Sequence, residues 1–238
     1  MLTLFHHPVC PHSRFVRLAL SEYGLPVRLV GERVWERRED FLILNPAGTI
    51  PVLVVEGLTP APGASIIAEY LDEVYGSDLG DRRLLPNGAN LRVEVRRLTS
   101  WFNDKFFADV SGPLTKERYK QYMPFELGGG SPDRAVFRAV REILPDHLAY
   151  IGSLLSKHEW LAGGQLTYAD LAAAAHLSVA EYLGDMPWPE NGTVKEWYAR
   201  IQSALFPVDA RRSLARVRPS EELSAMAWKR GIQSSSEL

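Results

Sequence analysis

Asn45-Pro46-Ala47-Gly48-Thr49-Ile50-Pro51-Val52-Leu53 is the most informative run in the chain. Two prolines and a glycine break the chain just before an apolar strand. Ile50-Pro51 therefore sits where a turn enters a sheet, a position that tolerates a cis bond. Upstream, Leu2 and Leu4 alternate as in a strand that ends at Pro8-Val9-Cys10-Pro11-His12-Ser13, where an amphipathic segment opens. Cys10 thus falls at the start of a helix. The order reads strand, helix, strand, irregular link, proline-initiated strand, short strand, helix.

Outward from this stretch, Phe15, Val16, Ala19, Leu20 and Tyr23 recur at helical spacing, and Gly24 is placed to cap that helix. Val27 to Val30 reads as a strand. Glu32 to Asp40 is dense in charge around Trp35 and has two readings. One is a solvated helix face whose tryptophan folds back on the core. The other is a partner-facing patch of Trp35, Arg37 and Arg38, since Trp and Arg anchor interfaces. Val52 to Val55, a Glu56-Gly57 turn and Leu58 to Ala61 read as a hairpin, followed by a helix from Ser65 to Tyr75 closed by Gly76.

This gives a first domain over residues 1–76, a linker over 77–90, an all-helical domain over 91–205 and an atypical tail over 206–238. Leu91 to Val110 carries Val95, Leu98, Trp101, Phe102 and Phe106 at helical spacing. Gly128-Gly129-Gly130 is a break rather than a phosphate loop, because no strand precedes it and no Gly-Lys-Ser/Thr follows. A helix restarts from Asp133 to Ser156. Thr167 and Asp170 form a capping box: the hydroxyl is placed to take the N–H three residues on, and the carboxylate to return to the N–H of Thr167. The nearly all-apolar run from Leu171 to Leu177 makes the helix behind it the buried axis of the second half.

The 238 residues are 46% hydrophobic, enough for one large core or two smaller ones. A formal net charge of −2 gives no bias toward nucleic acid or anionic lipid. One cysteine excludes an intrachain disulfide and suits a reducing compartment. No apolar run approaches the ~18 residues of a membrane span, and a charged leader followed by an apolar block is missing. The expectation is a cytoplasmic protein with no membrane insertion.

The strand-helix order around Pro51, with the box near Thr167, resembles the glutathione S-transferase superfamily from Met1 to about Arg200. The resemblance implies an α/β thioredoxin-like N-terminal domain and an all-α C-terminal domain. It also makes Pro51 the cis-proline beside the cysteinyl part of glutathione, with Ile50 offering backbone. Active relatives carry a Glu-Ser pair at the head of the second helix to hold the γ-glutamyl carboxylate; here those positions are Gly63 and Ala64. Ser65 comes one residue late, and one residue on a helix rotates a side chain by about 100°. Two polar contacts of ~1.5 to 3 kcal/mol each would be missing, enough to weaken binding by two or more decades. Ile50, Pro51, Arg37 and Ser65 are what remains to hold such a ligand, with Arg37 or Arg38 reaching its glycine carboxylate.

Cys10 is the chemical candidate. A helix N-terminus stabilises a thiolate, and Cys-Pro-x-Ser at this point resembles the omega-like and glutaredoxin-like members, which work by thiol exchange. The plainer reading is a cysteine filling space beside the sheet. His6, His7, Cys10 and His12 suggest a metal, but strand alternation sends His6 and His7 to opposite faces, so no metal site is expected. One histidine is expected to face outward and the other to pack locally.

Phe5-His6-His7-Pro8, Cys10 to Leu20, Val34 to Glu39, Pro62-Gly63-Ala64 and Trp101 to Phe107 are similar to a narrower bacterial group of transferase-like division factors that bind the tubulin-like polymer FtsZ. That resemblance implies a homodimeric scaffold without cofactor, acting on FtsZ at the division site. The alternative is a glutathione-dependent thiol transferase using Cys10. The tail, with Arg211, Arg212, Arg216 and Arg218, matches nothing in the superfamily.

Overall fold

A computed structural model of the protein describes residues 1–183, 186–188 and 192–205, which belong to one compact unit. The tail over 206–238 lies outside the described residues.

The chain begins with β1 (Leu2–His6), α1 (Pro11–Glu22), β2 (Val27–Gly31), α2 (Glu39–Leu44), β3 (Val52–Val55), β4 (Ala61–Pro62) and α3 (Ala64–Tyr75). The sheet order is β2-β1-β3-β4. β1 pairs parallel with β2 (Leu4 opposite Leu29) and antiparallel with β3 (Leu4 opposite Leu53). Leu4, Leu53, Phe15, Ile67 and Leu71 are sealed between this sheet and helices α1 and α3. The Ile50-Pro51 peptide is cis, and the carbonyl of Pro51 accepts the N–H of Gly63 at 2.9 Å, tying the strand entry to the head of α3.

The second half is helical: α4 (Ala89–Ser100), a π-helical stretch (Trp101–Ser111), α5 (Gly112–Lys120), α6 (Arg134–Leu155), α7 (Tyr168–Leu183) and α8 (Thr193–Leu205). As its apolar run predicts, α7 is the axis, with every residue from Tyr168 to Ala180 buried. α1 packs along it: Arg14 Nη1 donates to Ser178 Oγ at 2.7 Å, and the hydroxyls of Tyr23 and Tyr168 meet at 2.8 Å.

Several local expectations are corrected. The hairpin's second strand is Ala61–Pro62 rather than Leu58 to Ala61, since residues 56–58 are spent on the turn. The helix predicted from Leu91 to Val110 starts at Ala89 and widens into the π-helical stretch from Trp101. Gly76 does not stop α3 by a left-handed turn. It keeps right-handed dihedrals (φ −59°, ψ −34°), and the chain runs on into a tight turn to Arg82.

The capping box forms only in part. Asp170 Oδ2 accepts the N–H of Thr167 at 3.0 Å as expected, but the Thr167 hydroxyl donates to that same carboxylate at 2.8 Å instead of accepting an N–H. The reason lies outside the helix: Asp170 Oδ1 is taken by the N–H of Leu161 (2.9 Å) and Trp197 Nε1 (3.0 Å), which draws the carboxylate into the core and the hydroxyl after it.

Candidate functional site

Cys10 is the N-cap of α1, with Pro11 in the first turn; the N–H of Arg14 donates to its carbonyl at 3.0 Å. Proline suits this place because its missing N–H would have no partner there. Cys10 is 6% exposed, and His12 and Ser13 are the groups that act on its thiol. Burial pushes the thiol pKa up, but the hydrogen bond and charge of His12 and the bonds to Ser13 outweigh it, so the thiol sits below its ordinary value. Burial pulls His12 down, and the bond to Cys10, the thiolate charge and the Asn103 carbonyl bring it above its ordinary value. The shifts run in opposite directions because each group's charged form favours the other's.

The pair is anchored in the helical half. His12 Nε2 lies 2.9 Å from the Asn103 carbonyl, within the π-helical stretch, where the widened turn alters the backbone hydrogen bonding. Asn103 Oδ1 meets His176 Nε2 at 3.2 Å, and His176 Nδ1 meets Ser111 Oγ at 2.7 Å. A neutral His176 that donates through Nε2 and accepts from Ser111 satisfies both contacts. Burial holds its pKa well below the ordinary value, consistent with that state.

Above the thiol lies an aromatic cluster. Tyr119 stacks edge-on to His7 (4.7 Å between centroids) and tilted on Trp35 (5.1 Å), and His7 meets Trp35 at 5.8 Å. Trp35 is half-buried, so the fold-back reading of the Glu32 to Asp40 segment holds for its ring. The segment itself is a tight turn (Val34–Glu36), then Arg37 at φ 46°, then α2, rather than one solvated helix. Arg38 grips the buried Glu32 with two hydrogen bonds of 3.3 and 2.6 Å, whereas Arg37 is exposed. Arg37 therefore offers its charge outward, while that of Arg38 is largely matched within the chain.

Both His6 and His7 are buried, correcting the expectation of one outward histidine. His6 continues the inward face of β1, and His7, just past the strand, turns under Trp35 and Tyr119 and accepts the N–H of Val9 at Nδ1. Among the described residues no group of three or more His, Cys, Asp or Glu could hold a metal.

At the head of α3, Gly63 is at φ 95°, Ala64 is buried and Ser65 is exposed. Neither of the two leading positions, Gly63 and Ala64, carries a side-chain hydrogen-bond donor. Ile50 and Pro51 do present the cis turn beside it. The sequence reading missed His12 as partner of Cys10, and with it Asn103, His176 and Tyr119. Only His12 left a local signal, two residues from Cys10 in the same helix start.

The family model for the glutathione S-transferase N-terminal domain matches residues 9–74, and that for the C-terminal domain matches residues 132–204. The chain belongs to the glutathione S-transferase family. Within it, the chain is 42% identical over 205 residues to FtsZ-localized protein A of Caulobacter vibrioides, covering 84% of this chain and 86% of that one. A glutathione S-transferase structure from Sinorhizobium meliloti superposes with a TM-score of 0.85 at 49% identity, covering 92% and 94% of the two chains. The structure of FzlA from C. crescentus superposes with a TM-score of 0.79 at 40% identity, again over 92% and 94%. This transferase fold therefore has relatives carrying both an enzyme's name and a division protein's name. No helix among the described residues is long and apolar enough to cross a membrane.

Proposed function

We propose that this member of the glutathione S-transferase family is a non-enzymatic division protein that binds FtsZ filaments as a homodimer at the cytoplasmic division site, without glutathione as cofactor. The observation that carries the reading is the head of α3, where Gly63 and Ala64 leave a tripeptide's charged end without side-chain partners. The likeness to a protein named for its localisation with FtsZ supplies the partner. Support for self-association comes from α3 and α4, which expose Ile66 (55%) and Val93 (64%) and are joined across Glu69 and Arg96 by a bidentate ion pair. The FtsZ-facing patch is Arg37, the exposed edge of Trp35 and the rim of Arg38. Arg37 in the left-handed region is a conformation that a non-glycine residue holds only when its surroundings impose it.

Co-sedimentation with polymerised FtsZ tests this reading. The protein is expected in the pellet, with Trp35→Ala and Arg37→Ala reducing it several-fold and Cys10→Ala leaving it unchanged. A pellet free of the protein at excess concentration overturns the proposal.

The Cys10–His12 pair favours a second reading, a thiol transferase of omega-like type. Calorimetry with glutathione and a disulfide-reduction assay on Cys10→Ala decide it. Absence of heat together with unaltered turnover removes it.

A further inference from the structure

The break at Gly128-Gly129-Gly130 is a built turn that holds an apolar tip out in water. Between α5 and α6, a single tight turn (Phe125–Leu127) leaves Phe125 86% exposed, Leu127 50% and the preceding Tyr122 40%. The glycines keep it there. Gly128 is at φ 90°, and a Cβ at Gly129 would drive into the Met123 carbonyl, so a side chain at either position would disturb the turn.

The turn satisfies much of its own backbone. The N–H groups of Leu127 and Gly129 both donate to the Pro124 carbonyl, that of Gly128 to Phe125 and that of Gly130 to Lys120, all at 2.9 to 3.0 Å. These donors stay partnered when the tip leaves water, which lowers the cost of burying irregular backbone.

Charge around the tip is one-sided. Residues 116–138 hold five cations and three acids, and two of the acids are engaged within the chain. Glu117, 3% exposed, takes Lys120 Nζ at 2.6 Å and the Asp133 N–H at 2.7 Å, and Asp133 caps α6 by accepting the Ala135 N–H at 2.8 Å. Lys116, Arg134 and Arg138 are exposed and enter no ion pair among the described residues, and the Arg118 guanidinium lies over the Tyr122 ring, 5.2 Å from its centroid. Glu126 is the acid of this stretch left to offset them. All four cations lie within the two helical turns that adjoin the tip on either side. Two turns span about 11 Å, close to the ~8 to 10 Å over which surface charge acts at physiological salt.

We propose that the Phe125 tip is a peripheral contact for an anionic lipid surface. Phe125, Leu127 and the Tyr122 ring enter the headgroup boundary, and Lys116, Arg118, Arg134 and Arg138 are drawn to the lipid phosphates. A turn with its own hydrogen bonds and long cations at its base favours lipid over a protein pocket, because neither feature needs a matching shape across the contact. The whole-chain charge of −2 conceals this local bias. The contact is adsorption of a tip, not a span, and it does not rest on the FtsZ reading.

Co-sedimentation of the full chain with vesicles of equimolar phosphatidylglycerol and phosphatidylcholine, against phosphatidylcholine alone, tests it. The protein is expected to pellet with the anionic vesicles at low salt, to stay in solution with the neutral ones and to be released at high salt. Phe125→Ser is expected to weaken the binding about tenfold, and Arg134→Gln combined with Arg138→Gln by a similar factor. Leu58→Ser, at an apolar residue 55% exposed beside the β3–β4 turn, is expected to leave it unchanged. No pelleting with the anionic vesicles would leave the tip to a protein partner and overturns the proposal. So does equal pelleting with the neutral ones, unchanged binding in Phe125→Ser or in the double arginine variant, or an equal loss in Leu58→Ser. The comparison of the two vesicle types on the unaltered chain stands even if a variant fails to fold.

Discussion

The imidazole Nε2 of His12 lies 2.9 Å from the carbonyl oxygen of Asn103, 91 residues away in sequence, and this contact aims the ring at Cys10. The thiol's environment is therefore set from the helical half of the molecule. His12→Phe keeps the packing on Phe107 but removes the hydrogen bond and charge that lower the thiol pKa. Alkylation of Cys10 by iodoacetamide at neutral pH is expected to slow several-fold, with its pH profile displaced to higher pH. Mass-spectrometric labelling across pH 6 to 9 checks this. An unmoved profile would assign the thiolate to the helix terminus alone.

Gly76 sits where a side chain would break an ion pair. A methyl group there would lie 2.8 Å from both Arg83 Nε and Asp72 Oδ1. Asp72, 1% exposed, is held by Arg83 through hydrogen bonds of 2.8 and 2.7 Å and by Arg92 at 3.4 Å. Its dihedrals are helical, so Gly76→Ala gains up to about 1 kcal/mol of helix propensity. Forcing the buried pair apart costs more, about 3 to 5 kcal/mol if the pair is lost. A net loss of about 2 kcal/mol or more in urea unfolding is expected, and a neutral result would mean that Arg83 repositions freely.

Asp170 accepts from four donors: the N–H groups of Leu161 and Thr167, the Thr167 hydroxyl and Trp197 Nε1. Burial pushes its pKa upward against those bonds. Asp170→Ala strands these donors in the core and is expected to cost about 3 to 5 kcal/mol. Thr167→Val, which removes one donor, is expected to cost about 1 kcal/mol. Equilibrium denaturation of the two variants tests the ratio; equal losses would show that the hydroxyl, rather than the carboxylate, organises the site.

His6 and His7 make stability fall in mild acid. Burial, first, and neighbouring arginines lower their pKa values from 6.5 to about 3 and about 4. His7 Nδ1 also accepts the Val9 N–H, a bond that only the neutral ring can make. Because the folded values are depressed, their contribution is complete above pH 6.5 and is lost as pH falls toward those values. For His7 this amounts to roughly 3 kcal/mol between pH 6.5 and 4. His12, raised by Cys10, acts in the opposite sense: its contribution is present at low pH and is lost as pH rises through its folded value. Urea midpoints measured from pH 7 to 4 are expected to drop, with a shallower fall in His7→Phe.

Legible in the residues alone were the strand entry at Ile50-Pro51, the start of α1 at Cys10-Pro11, the restart of a helix near Asp133 and the burial of α7, because each depends on backbone preferences and apolar spacing within a few residues. So was the side-chain gap at Gly63 and Ala64. Only the tertiary structure decided that His7 lies under Trp35 and Tyr119, that Glu32 claims Arg38, that Gly76 is kept bare for Asp72 and Arg83, and that His12 looks to Asn103. Two of these contacts, His7 with Tyr119 and His12 with Asn103, join residues about ninety to more than a hundred positions apart, where no local periodicity records the meeting. Packing two halves together buries polar groups that must then find partners, and those partners are set by proximity in the folded chain.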